Sequence, residues 1–241
     1  MQTAGGEGAV AIAPLGGDGE AEAARVFLLP AKKRHNLELM PTIDAAAREL
    51  GLSPAGLREA CVSLGPGSFT GVRAGAACVQ MFAAADPGLR VVGVGEADVV
   101  AQAVGGGDGS AVAVVMSVKR GDAWCGLFAG GAWAIRCEDR PVEGFVDAVR
   151  EYTAGLGEHG PVRWACDPGA MSGGAGVGLP DGFASTAWPD ADSRALALLH
   201  LGRAGLGRGE ATPADRLLPI YGRAPEAVAL WKAQGRSTPG N

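Results

Sequence analysis

The residues with the strongest claim to chemistry lie in the stretch Leu64-Gly65-Pro66-Gly67-Ser68-Phe69-Thr70-Gly71-Val72-Arg73-Ala74-Gly75. A glycine-rich turn between a strand and a helix presents free backbone N–H groups and a positive helix end, the geometry that cradles phosphate. The phosphate-loop pattern wants a Lys-Ser/Thr pair after its last glycine, and Val72-Arg73 follows instead; the dinucleotide fingerprint fails because the spacing is one residue too long. Three roles stay open: an anion cradle, a device for close packing or partner docking, and a plain turn. Packing or docking is the expected one.

Other reactive side chains are scattered. His35, His159 and His200 have no second histidine at i+4 and no metalloprotease glutamate, so surface or capping roles are expected. Ser68 is not in a Gly-x-Ser-x-Gly elbow. Glu96, Asp98 and Asp122 fall near strand ends, where solvated carboxylates are expected. Cys61, Cys78, Cys125, Cys137 and Cys166 form no Cys-x-x-Cys pair and lie near no histidine, which points to buried, reduced thiols rather than a disulfide framework or a zinc site.

The elements that must position the turn follow from hydrophobic period. Gly8 to Leu15 and Arg25 to Leu29 read as a hairpin. Leu39, Ile43, Ala46 or Ala47 and Leu50 carry a helical stripe, with Asn36 as cap, Gly51 as stop and Pro41 inside, where it predicts a kink or a late start. Ser53-Pro54 starts a short helix. A strand at Ala60 to Leu64 leads into the turn, and Val72, Gly75, Ala76, Val79, Phe82 and Ala83 mark the helix after it. Val91 to Val94 reads as a strand and Glu96 to Val104 as a helix. Gly105 to Ser110 is a seam that holds no regular element. Beyond it, Ala111 to Val118, Ala123 to Ala129 and Ala132 to Cys137 form a meander with hairpin connections at Lys119 to Asp122 and Gly130-Gly131. A helix around Phe145, Val149 and Tyr152, a strand at Val162 to Ala165 and a helix from Arg194 to Leu206 follow. A short helical stretch near Val228 to Trp231 ends the chain, and the loop between Gly169 and Pro180 has no period. Two lobes, 1–104 and 105–241, thus repeat one plan of meander followed by helix and strand alternation.

Composition narrows the function classes. The 241 residues are 47% hydrophobic and 20% charged, a globular balance. A net charge of −5, with no basic cluster beyond Lys32-Lys33-Arg34, leaves no electrostatic footprint for nucleic acid. The longest apolar run, Ala111 to Met116, is too short to cross a bilayer, and the N-terminus lacks the basic and apolar regions of a signal peptide. A cytoplasmic location without membrane attachment is expected.

The string Gly65-Pro66-Gly67-Ser68-Phe69-Thr70-Gly71-Val72-Arg73-Ala74-Gly75 resembles the TsaB (YeaZ) family. Leu39-Met40-Pro41-Thr42-Ile43-Asp44 before it and Val91-Val92-Gly93-Val94 after it extend the likeness. Lys119-Arg120-Gly121-Asp122-Ala123-Trp124 is similar to the family's hairpin motif, and Pro219-Ile220-Tyr221-Gly222-Arg223 to its tail motif, with Gly222 in place of leucine. Ser117-Val118 stands where the family has Asp-Ala. Thr3-Ala4 matches the end of the family's opening motif with almost no strand before it, so either the true start lies upstream or the first strand of the N-lobe is missing.

The resemblance implies an α/β chain of two RNase-H-like lobes in the actin-like, sugar-kinase-like (ASKHA) fold. It implies a non-catalytic subunit of the bacterial machinery that makes N6-threonylcarbamoyladenosine on tRNA. The partners would be a TsaD-like catalytic paralogue and a TsaE-like ATPase, with tRNA met only indirectly and a homodimer forming when the chain is alone. ATP and a metal would belong to the complex, and this chain would bind neither by itself. His35 followed by Leu39 stands where the catalytic paralogue has a His-x-x-x-His metal motif. Docking through N-lobe helices makes Leu39, Ile43, Ser68, Phe69, Thr70, Arg73, Ala76 and Gln80 the candidate interface residues. A metallopeptidase or nucleotide-using enzyme of the same superfamily, and a degenerate homologue without activity, remain open.

Overall fold

The structure is a computed structural model that describes residues 1–15, 24–30, 35–53, 56–105, 110–117, 123–155, 162–169 and 184–222. Its first half holds β1 (Ala9–Ile12), β2 (Arg25–Leu28), α1 (His35–Glu49), β3 (Glu59–Ser63), α2 (Phe69–Ala85), β4 (Arg90–Val94) and α3 (Glu96–Gly105). The second half holds β5 (Val112–Ser117), β6 (Ala123–Ala129), β7 (Ala132–Arg140), α4 (Val142–Ala154), β8 (Arg163–Cys166), β9 (Ala184–Thr186) and α5 (Ala191–Gly207), then a 3-10 turn at Ala214–Arg216.

The first sheet comes in two pieces, β1 antiparallel to β2 and β3 parallel to β4. Met1 to Thr3 stand between them. Gln2 and Ala9 exchange two backbone hydrogen bonds of 2.8 Å. On the other side the Met1 ammonium donates to the Cys61 carbonyl at 2.7 Å, and Ser63 N–H donates to the Met1 carbonyl at 3.2 Å. Met1 to Thr3 thus join the two pieces as a short stub. Alternation sends neighbouring side chains to opposite faces: Val10 packs with Leu39 and Cys78 on the α1/α2 side, and Ala9 with Ala191 and Ala195 of α5 on the other.

The second sheet is continuous, in the order β7-β6-β5-β8-β9. Its meander is antiparallel, while β5, β8 and β9 run parallel. Val112, Ala113, Val114 and Val115 are fully buried, as a strand covered on both faces requires. Phe145 of α4 meets Trp164 of β8 edge-on at 5.6 Å between ring centroids. Helix α3 packs against both α5 and β5 and so links the two halves.

Three expectations change in detail. Helix α1 begins at His35, so Asn36 lies inside the helix rather than at its cap, and Pro41 is accommodated within it. Strand β9 has no counterpart in the expected elements; at three residues it is too short to show a period. The segments at Pro54, Lys119 to Asp122, Val228 to Trp231 and most of the Gly169 to Pro180 loop lie outside the described residues.

Candidate docking site on the glycine-turn helix

The turn after β3 is built on close backbone contact. A side chain on Gly67 or Gly71 would collide with the carbonyl groups of Ala4 or Thr3, so the stub packs directly on the turn. Three of the turn's donors bond within the chain. Ser68 N–H donates to the Ala4 carbonyl at 2.6 Å, Gly71 N–H to its own cap, Ser68 Oγ, at 3.3 Å, and Gly65 N–H to Ser63 Oγ at 3.5 Å. These contacts and the backbone approach at Gly67 and Gly71 favour the packing role of the turn.

Beneath it lies a polar network that sequence reasoning missed. Glu96 was expected on the surface and is 1% exposed. Its carboxylate accepts from Gln2 Nε2 at 2.5 and 2.7 Å, from Ser63 Oγ at 2.6 Å and from Arg194 Nη1 at 3.0 Å. Its backbone N–H donates to the Gly65 carbonyl at 2.7 Å, which pins the turn. Burial pushes the Glu96 carboxyl above its ordinary value, while Arg194, Ser63 and Gln2 pull it back. Asp98 is corrected likewise: it accepts from Trp133 Nε1 at 2.7 Å, and burial raises its carboxyl. Asp122 lies outside the described residues.

Helix α2, capped by Ser68, has two apolar rows. Val72, Ala76 and Val79 are buried, the last two against Val62 and Leu217. Phe69, Arg73, Ala77 and Met81, each four residues from the next, face outward. Phe69 is 57% and Met81 60% exposed, a costly arrangement for an isolated surface. The Arg73 guanidinium lies 3.7 Å from the Phe69 ring centre and donates through Nε to Tyr221 Oη at 2.8 Å. Tyr221 in turn packs on Phe69 at 5.7 Å, so the tail motif and the turn motif meet in one aromatic and cationic cluster. On the α1 side, Leu37 and Met40 are exposed, and Met40 Sδ lies 3.5 Å from Cys78 Sγ of α2.

Of the eight candidate interface residues, the structure places Ser68, Phe69, Thr70 and Arg73 on this exposed face and Ile43 and Gln80 at half-buried positions, Gln80 donating to the Leu217 carbonyl at 3.4 Å. Leu39 and Ala76 are corrected: at 2% and 3% exposure they are core residues that no partner can reach. Ala77 and Met81, one position and five positions on from Ala76, hold the place assigned to it. A second row at the same period was legible in the sequence, but a stripe of small apolar residues serves a core and an interface equally well.

The cysteines among the described residues are free and carry no reactive character. Burial pushes Cys125 up to about 12 and Cys166 and Cys78 up to about 11, so none is a ready thiolate. Among the described residues no three His, Cys, Asp or Glu side chains converge on a metal position.

Comparison with known proteins yields a partial family match and solved structures of similar fold. The family model described as TsaD, tRNA N6-adenosine threonylcarbamoyltransferase, matches residues 29–128, a span that includes the turn and α2. No curated protein matches. Among solved structures, YeaZ from Pseudomonas aeruginosa is 21% identical with a TM-score of 0.65, over 91% of this chain and 96% of that one. An uncharacterized protein with similarity to peptidase YeaZ, from Pseudomonas aeruginosa, is 22% identical with a TM-score of 0.68, over 92% of this chain and 97% of that one. The chain therefore has the fold of YeaZ, two lobes of the ASKHA type, as its sequence led us to expect.

Proposed function

We propose that this chain is a TsaB-type, non-catalytic subunit that docks a TsaD-like threonylcarbamoyltransferase and supports N6-threonylcarbamoyladenosine formation on tRNA. The observation that carries the reading is the exposed row Phe69, Arg73, Ala77 and Met81 on the helix launched by the glycine turn. A row of apolar side chains with one stacked arginine has the composition of an interface centre, where aromatic residues, methionine and arginine are enriched. The family match over residues 29–128 supports the choice of partner, since it covers this helix. In this reading a TsaE-like ATPase completes the assembly, ATP and metal sit on the partner subunits, and tRNA is contacted through them. Alone, the chain pairs with a second copy through the same row. The complex works in the cytoplasm, in keeping with the absence, among the described residues, of any helix long and apolar enough to span a membrane.

Size-exclusion chromatography and calorimetry with the TsaD-like protein of the same organism test the proposal. A one-to-one complex is expected, weakened at least about tenfold by Arg73→Ala or Met81→Glu, the size of a single interface anchor. Absence of a complex at micromolar concentration would sink it, and failure to complement a strain depleted of its own TsaB would favour the degenerate homologue.

A further inference from the structure

Helix α2 carries a single charge. In its 17 residues, Phe69 to Ala85, Arg73 is the one acidic or basic side chain. The guanidinium is held in place before any partner arrives. Its Cζ lies 3.7 Å from the centre of the Phe69 ring and 5.5 Å from that of Tyr221, and Nε donates to Tyr221 Oη at 2.8 Å. Phe69 and Tyr221 pack on each other at 5.7 Å, so the group rests in an aromatic corner. A guanidinium has five N–H donors, and the Tyr221 contact uses the one on Nε. Among the described residues no carboxylate pairs with the Nη1 and Nη2 edge. Along the exposed row the charge is flanked only by apolar side chains, Phe69 before it and Ala77 and Met81 after it.

We propose that Arg73 is the specificity contact of this row, a clamp for an aspartate or glutamate that the partner subunit presents from within an apolar surface. The inference rests on the docking role proposed above and names the chemistry the partner must bring. A guanidinium in water needs no counter-charge, but one covered by an apolar surface loses its hydration and opposes binding. A partner that covers Phe69 and Met81 therefore has to supply an anion at Arg73. The fixed planar fork matches a carboxylate, which accepts two parallel N–H bonds, and the stacking has already removed the side-chain freedom that binding would cost. A phosphate backbone fits less well, since it would meet one cation on an apolar row in a chain of net charge −5. The same charge selects against a second copy. Phe69, Arg73, Ala77 and Met81 include no acid, so a self-pair made through the row leaves both guanidinium groups without a counter-charge, and the acidic partner displaces it.

Calorimetry of the 241-residue protein with the TsaD-like protein of the same organism provides the test. Arg73→Met keeps a long side chain on the row and removes its charge. Partner affinity should fall at least about tenfold, because the facing carboxylate is then buried unpaired. Self-association of the same variant, followed by sedimentation, should be no weaker than that of the native protein. Arg73→Lys gives a direct reading. A water-soluble carbodiimide activates a carboxylate and joins it to a touching amine as an amide, leaving as its urea, and mass spectrometry should find position 73 linked to an aspartate or glutamate of the partner. Equal or tighter partner binding by Arg73→Met, self-association that falls in parallel, or a link from Arg73→Lys to a second copy in place of the partner would each overturn the clamp while leaving the docking role standing. Loss of tRNA affinity in Arg73→Met would assign the group to a phosphate and overturn it as well. Absence of a complex with the native protein would overturn both the clamp and the docking role.

Discussion

The two sheets solve one packing problem with different materials. The second sheet is continuous, and its centre is apolar: Val112 to Val115, Leu127, Phe145 and Trp164 are fully buried. The first is divided, joined by a three-residue stub, pinned from beneath by a buried carboxylate and a buried guanidinium, and packed by glycines against backbone. A continuous apolar sheet needs only complementary shape, and its stability is spread over many contacts. A divided sheet needs specific polar groups to keep its pieces in place, and it concentrates its vulnerability in a few of them.

Substitutions can break this contrast in order of severity. Phe145→Ala should be the most destabilising, by about 4 kcal/mol, since it removes a ring from a core that cannot collapse around the space. Urea unfolding measures it, and a loss under about 2 kcal/mol, half the expectation, would show the second core to be looser than its burial implies. Arg194→Met should cost about 3 kcal/mol, because it leaves the Glu96 carboxylate buried without its counter-charge. This variant should also acquire a pH dependence. Burial already raises the Glu96 carboxyl in the folded state, and removing Arg194 raises it further. The folded form then binds the extra proton, so its stability is fullest below the unfolded value of 4.5 and is lost as pH rises through the folded value. Urea midpoints at successive pH values should fall more steeply than in the parent; parallel curves would mean that Glu96 is not the group responsible. Met81→Glu lies at the other extreme. On an exposed row it should change stability by no more than about 0.5 kcal/mol while abolishing partner binding, and a large drop in thermal midpoint would place Met81 in the core instead.

The sequence revealed the parts of this molecule that are local. The strand, turn and helix at Gly65 carry their signals within a dozen residues, and the meander of the second sheet shows its alternation directly. The polar network could not be seen the same way. Glu96 meets Gln2 across 94 positions and Arg194 across 98, and a glutamate at the start of a helix looks, by itself, like an ordinary surface residue. The exposed row was half legible: Phe69 and Arg73 lie on it as expected, while Ala76 stands in the core and Ala77 on the surface, because periodicity reports a stripe without saying which side it faces. Deciding that required Val62 and Leu217, one in a neighbouring strand and one in the tail.

The return of the C-terminal residues to the first sheet bears on how the protein is made. Helix α5 covers β1 to β4, Thr212 N–H donates to the Val91 carbonyl at 2.7 Å, and Ile220 N–H donates to the Leu64 carbonyl at 2.7 Å. Synthesis proceeds from the N-terminus, so the half of the molecule translated first is the half completed last. A ribosome-bound chain halted before Ala191 should hold residues 110–166 in a protease-resistant form and leave residues 1–104 open to cleavage; early protection of the first half would contradict this order. Through most of translation, the face of the first sheet that α5 will cover is available to whatever else the cell offers, which makes a nascent-chain chaperone the natural guardian of this particular fold.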